Sequence, residues 1–159
     1  MHRWGHVGAA LLAYAPVGAA VTAAGDPALA IGGAAVAVAV STLPDADELL
    51  PLDHRGPTHT VWFVAACALV ASSLGAVAGP AVDRPAVLPA VAGAAVGLSL
   101  VSHLAVDLLT PMGIRPFHPV SSGHYSMQVT PARNPRANVA LFAAGTAVLA
   151  GSQALLLVL

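Results

Sequence analysis

The chain has 159 residues, of which 57 % are hydrophobic and only 8 % charged, and its formal net charge is −1. A soluble domain carries roughly 25 % charged residues, so this composition excludes one and points to the bilayer as the main solvent. Six Lys+Arg residues, all arginine, give no basic field for nucleic acid. The lone Cys67, inside an apolar run, excludes a disulfide framework and reads as a small inert hydrophobe.

Five apolar runs follow in chain order, and they predict an all-α membrane bundle of about five transmembrane helices forming a single domain over residues 1–159. The first run is Val7–Ala24. It is long for the core of a signal peptide, and cleavage there would discard His6, so it reads as a span. Ala28–Leu43 is short and crosses by borrowing a turn at Asp26-Pro27 or at Pro44. The third run is Val61–Gly79, the fourth Ala86–Thr110 with polar interruptions near its end, and the fifth Ala137–Leu159. Pro16 and Pro89 are expected to kink their helices. The many Ala and Gly residues suit helices that pack closely in lipid. Residues 111–136 carry five prolines and no helical period, and read as a cap over one face.

Five crossings put Arg3, Arg55, Arg115, Arg133 and Arg136 on the N-terminal side and Arg84 alone on the other. The positive-inside rule then makes the N-terminal side, with the 111–136 cap, cytoplasmic.

Four polar clusters interrupt the apolar chain, and the same count brings all four to that side. They are Trp4-Gly5-His6, Pro44-Asp45-Ala46-Asp47, His54-Arg55-Gly56-Pro57-Thr58-His59-Thr60, and Ser102-His103-Leu104-Ala105-Val106-Asp107. His103 and Asp107 are four apart, one helical turn on one face, and can offer nitrogen and oxygen to one ion. Ionisable groups within a membrane helix are costly unless they are paired or serve a polar cavity. Asp45 and Asp47 flank one residue at a helix end, so one can ligate while the other orients a histidine or water. Gly56-Pro57 can bend the chain to seat His54 and His59 together. Histidine and aspartate without thiolate suit Zn²⁺, Mn²⁺ or Fe²⁺. His2, His118 and His124 receive no assignment.

Taken in order, the motifs Gly-His, Pro-Asp-x-Asp, His-Arg-Gly-x-Thr-His and Ser-His-x-x-x-Asp-x-x-Thr-Pro-x-Gly resemble the inner-membrane family of predicted metal-dependent hydrolases, which includes an SOS-inducible bacterial protein. The likeness runs from His6 to about Pro119. It departs from the family pattern at Pro57 and Thr60. A fainter similarity links the Asp clusters and His-x-x-x-Asp to the zinc-dependent phospholipase C and P1 nuclease group. The resemblance implies a helical membrane domain with a metal site and hydrolase activity. Carried over position by position, it gives His6, Asp45, Asp47, His54, His59, His103 and Asp107 as metal ligands.

The resulting expectation is a membrane-bound hydrolase that uses one or two divalent ions, Zn²⁺ first, to activate water against a phosphoester or lipid-like substrate. Asp47 is expected to orient a ligand or accept the water's proton, and Arg55 to clamp developing negative charge. Thr58 and Thr60 are expected to donate hydrogen bonds to the ligands. The expected partners are membrane lipid and a lipid or phosphoester substrate. Two rivals remain: a metal that only staples the helices, and a metal or proton transporter. Transporters hold their sites near the midplane on broken helices, whereas these clusters fall at helix ends.

Overall fold

The computed structural model describes residues 1–51 and 53–158; Leu52 and Leu159, the last residue of the expected fifth span, lie outside the described residues. Five α-helices account for the bundle: α1 (Arg3–Ala23), α2 (Pro27–Val40), α3 (Val61–Ala78), α4 (Val87–Leu108) and α5 (Pro135–Val158). Extended through the short 3₁₀ segments that follow α2 and α3, all five are long and apolar enough to cross a membrane. The sole strand-like pairing among the described residues is one bridge between Ile114 and Tyr125. The fold is all-α, as the apolar runs predict.

The helix ends explain where the runs and the helices differ. α1 starts at Arg3 rather than Val7, which draws Trp4 and His6 into its opening turns. Asp26 caps α2, accepting from the Leu29 N–H at 3.1 Å, with Pro27 in the first turn where no donor is needed. α2 then stops at Val40 instead of reaching Leu43. The Ser41 hydroxyl turns back onto the Val38 carbonyl at 2.8 Å, and Pro44 has no N–H to continue the ladder. The chain proceeds as a 3₁₀ segment, Pro44–Leu49. Pro89 falls in the first turn of α4, a position that does not require the expected kink. Asn134 opens α5, its side-chain oxygen accepting from Arg136 and Ala137.

α1 and α4 form the centre. α1 packs on α2, α4 and α5, while α4 packs on α1, α2 and α3. α3 buries only Val64 and Gly75, and α5 only Asn138 and Gly145. Leu141 and Leu149 of α5 are half-buried against the core, while Leu69, Val70, Leu74, Val77, Val148 and Leu155 face outward. A helix apolar on every side and buried on almost none is suited to lipid contact.

Small residues and a few hydroxyls hold the centre together. Tyr14, Ala34, Ala37, Val91 and Ala95 form one apolar cluster. Tyr14 donates to the Ala30 carbonyl at 3.1 Å, and Ser99 to the Ala37 carbonyl at 2.6 Å. Such bonds join helices where apolar side chains gain nothing from leaving lipid. α1 and α5 meet backbone to backbone. A Cβ on Gly8 would strike the Leu141 main chain, and one on Gly145 would strike Gly8.

Residues 111–136 lie against the site end of the bundle. The Met127 and Val129 N–H groups bond to the carbonyls of Leu108 and Leu109 at 2.8 Å each, and the Val61 N–H to Pro116 at 2.9 Å. At the opposite end the α1–α2 and α3–α4 turns are joined by an ion pair between Arg84 and Asp26.

Candidate metal centre

Each of the four polar clusters sits at a helix end, and the packing brings those ends together. His6 comes from the first turns of α1, and Asp45 from the 3₁₀ segment after α2. His103 and Asp107 project from the last turns of α4. Ligand atoms of these four all lie within 4.8 Å of one another. His59 enters from the turn before α3. Its Nε2 is 3.2 Å from His103 Nε2 and 3.5 Å from both Asp45 Oδ1 and Asp107 Oδ2. The His6 and His103 rings stack with centroids 3.7 Å apart.

Hydrogen bonds fix how the rings present themselves. A carbonyl only accepts, so His103 must carry its proton on Nδ1, which donates to the Ser41 carbonyl at 2.7 Å. For His59, Nδ1 lies 3.3 Å from Asp47 Oδ2 and 3.1 Å from the Thr58 hydroxyl. A carboxylate there holds the proton on Nδ1 in the same way. Both rings therefore turn Nε2 inward. His103 Nε2 is 3.3 Å from Asp45 Oδ1 and 3.6 Å from Asp107 Oδ2. Lone pairs and carboxylate oxygens so close together repel unless positive charge, a proton or a metal ion, lies among them. Burial lowers the proton affinity of His59, but the Asp107 and Asp45 carboxylates outweigh it and hold its pKa above the usual value. Buried Asp107 Oδ2 and His6 Nδ1 have no hydrogen-bond partner. His6, Asp45, His103 and Asp107, with His59 beside them, form a group that could hold a metal ion.

The acidic pair divides its work, as its spacing allows. Asp45 stands on the Nε2 side of His59 and Asp47 on the Nδ1 side. Asp47 is completely buried. It also accepts from the Arg55 N–H at 2.9 Å and the Thr58 hydroxyl at 3.1 Å, and meets His54 Nδ1 at 3.1 Å. Among the expected ligands, Asp47 and His54 thus stand one layer outside the other five. Thr58 bonds as expected. Thr60 does not: its hydroxyl donates to the Pro57 carbonyl at 2.8 Å and caps α3 by accepting from Phe63, because the chain needs a cap there.

Arg55, expected as an anion clamp, is mostly committed inside the protein. Its Nη2 is 3.1 Å from Asp107 Oδ1, and its Nη1 donates to Thr110 Oγ1 at 2.8 Å and the Gly113 carbonyl at 2.9 Å. Only Nε, which is buried, lacks a partner. Its backbone is left-handed, with φ at 59°, a strained state for a residue with a side chain. The bond from its N–H to Asp47 helps to hold it there.

Three contributors had no role in the sequence reading. The Met1 amino group pairs with Asp107, and the Met1 carbonyl lies 2.9 Å from His6 Nε2. Thr110 receives Arg55 and donates to the Asp107 carbonyl at 2.7 Å. The Ser41 carbonyl orients His103. Main-chain groups leave no signal in residue type, whereas Thr110 stood inside a quoted motif without a role.

A cavity of about 1290 Å³ opens beside the centre, with Asp45, His54 and Arg55 on one wall and Leu43, Leu49 and Met112 among its apolar lining. Asp45 is the member that reaches it. Its side chain is 28 % exposed, against 1 % or less for His6, His59, His103 and Asp107.

Fold and cluster together define a helical integral membrane protein with a buried His/Asp group, able to hold a metal ion, at one end of its bundle. The whole chain, residues 1–159, matches the YdjM inner membrane protein family, and it belongs to that family. The family description gives a location and no reaction. No curated protein and no solved structure matches the chain.

Proposed function

We propose that this protein is a metal-dependent hydrolase acting at the membrane surface on a phosphoester carried by a lipid or lipid-like molecule. The observation that carries the reading is the inward pair of Nε2 atoms on His59 and His103, set against Asp45 and Asp107 beside a half-apolar cavity. His6, Asp45, His59, His103 and Asp107 would hold the cation, with Zn²⁺ favoured by the donor set and one or two ions accommodated. When bound, it would supply a Lewis acid for a phosphoryl oxygen and lower the pKa of water.

The chain's own groups do the rest. Asp47 keeps the His59 proton on Nδ1, so that Nε2 stays free to ligate. Arg55 and Thr110 fix the carboxylate and backbone of Asp107. Asp45, the exposed member, borders the approach to the cavity. The apolar lining favours an amphiphilic substrate over a wholly soluble one. The arginine count favours a cytoplasmic location for this face. The motif resemblance to metal-dependent hydrolases is where this reading starts, and the family match adds the membrane location.

Detergent-purified protein should contain a divalent metal and hydrolyse members of a phosphomonoester and phosphodiester panel that includes phospholipids. Full metal occupancy with no hydrolysis across phosphoesters, esters and amides would leave a metal that staples the helices as the better account.

A further inference from the structure

A second cavity, of about 350 Å³, lies on the far side of the Arg55 turn. Its lining includes Arg55, Arg115, His54, His118, His124 and Asp53. Two guanidiniums and three imidazoles thus face one carboxylate, at the face of the bundle that also carries the metal centre. Arg115 and His118 make no side-chain hydrogen bond or ion pair with any described residue, and Asp53 neutralises neither arginine by direct pairing. His124 is anchored, its Nε2 lying 2.8 Å from the Met112 carbonyl.

The walls are tied together. Ile114 and Tyr125 exchange both backbone hydrogen bonds at 2.9 Å, Val61 N–H holds Pro116, and Arg55 Nη1 holds Gly113. The Arg55 side chain is only 8 % exposed, yet its Nε has no partner. Such a donor, left over from a network that uses its neighbours on the same guanidinium, is costly without an acceptor. Arg115 and His118 are exposed to the cavity side without a partner in the chain, and a pocket that adds them to the Arg55 guanidinium is suited to a tetrahedral oxyanion.

We propose that this smaller cavity is a phosphate-binding subsite, with Arg115 as its main ligand, His118 as a second donor and Arg55 as the wall shared with the metal centre. The phosphate is that of a lipid headgroup or of a soluble phosphate compound, which the pocket would recognise by the same contacts. Its assignment to a substrate rests on the hydrolase reading; the binding itself is measurable without turnover.

The test uses the full chain in phosphatidylcholine nanodiscs, both metal-loaded and chelator-treated. Inorganic phosphate is titrated by calorimetry, and retention of phosphatidic acid is read by native mass spectrometry in discs containing that lipid. Arg115→Ala should weaken phosphate binding or lipid retention about tenfold, the loss of one charge-assisted contact, with metal content unchanged. Arg115→Lys should recover part of it. Phosphatidic acid that blocks the phosphate titration identifies a lipid headgroup, and phosphate binding that persists beside it identifies a soluble compound; both support the subsite. Equal phosphate affinity and equal lipid retention in wild type and Arg115→Ala would overturn it. A protein that hydrolyses nothing yet binds phosphate through Arg115 would end the hydrolase reading and leave this subsite standing.

Discussion

The two ends of the bundle carry acids of opposite temperament. At one end Asp26 caps α2 and pairs with Arg84, so that this carboxylate is satisfied by the chain itself. At the other, Asp45 and Asp107 face the inward nitrogens of His59 and His103, and one oxygen of Asp107 has no hydrogen-bond partner despite the nearby Arg55. The first arrangement is finished by protein atoms. The second is only part-finished. The Met1 amino group and Arg55 meet Asp107 Oδ1, while Oδ2 and the inward ring nitrogens have no such partner. Buried polar atoms left in that condition are expensive. The contrast teaches that an acidic residue at a membrane helix end is informative only through what opposes it.

The sharpest way to break the contrast is Asp107→Asn, which keeps the shape and removes the charge. Bound metal, measured by elemental analysis of purified protein, should fall to background, while Asp26→Asn leaves it unchanged. Equal metal content in the two variants would erase the difference between the ends.

A smaller effect belongs to Asp47, which touches the centre only through His59. Asp47→Asn should weaken metal affinity about 10- to 100-fold, the usual consequence of losing a carboxylate behind a ligating imidazole. Competition with a chelator of known affinity reads this. Complete loss of metal would instead make Asp47 a direct ligand.

The smallest effect lies at the far end. The side-chain bond from Arg84 and the backbone bond from Leu29 hold the Asp26 carboxyl below its ordinary pKa. A depressed carboxyl contributes stability above its unfolded pKa of about 3.9 and loses it as pH falls through the folded value. The difference in thermal stability between wild type and Asp26→Asn should therefore be slight near neutral pH and vanish in acid. A difference that grows on acidification would contradict the pairing.

Much of this was legible in the sequence. Five apolar runs found five helices, because hydrophobic length is read directly in lipid. His103 and Asp107 were found as a pair because helical spacing is rigid. The boundaries at Val7 and Leu43 were missed because capping and the Ser41 back-bond, rather than hydropathy, set them. The division between Asp45 and Asp47 was foreseen as a possibility, but which acid turns inward depends on the 3₁₀ path after Pro44. The anchoring of Arg55 was invisible: nothing in an Arg-Gly-Pro stretch announces that the arginine takes the left-handed backbone and spends its guanidinium on Asp107, Thr110 and Gly113.

The contact between Gly8 and Gly145 also reaches the polar end of the bundle. α1, the helix that bears His6, is seated on α5 with main chain against main chain. A side chain added at either glycine would wedge the two helices apart and carry His6 with α1, loosening the stack of its ring on His103. The spacing of two backbones thus sets the position of a side chain in the cluster.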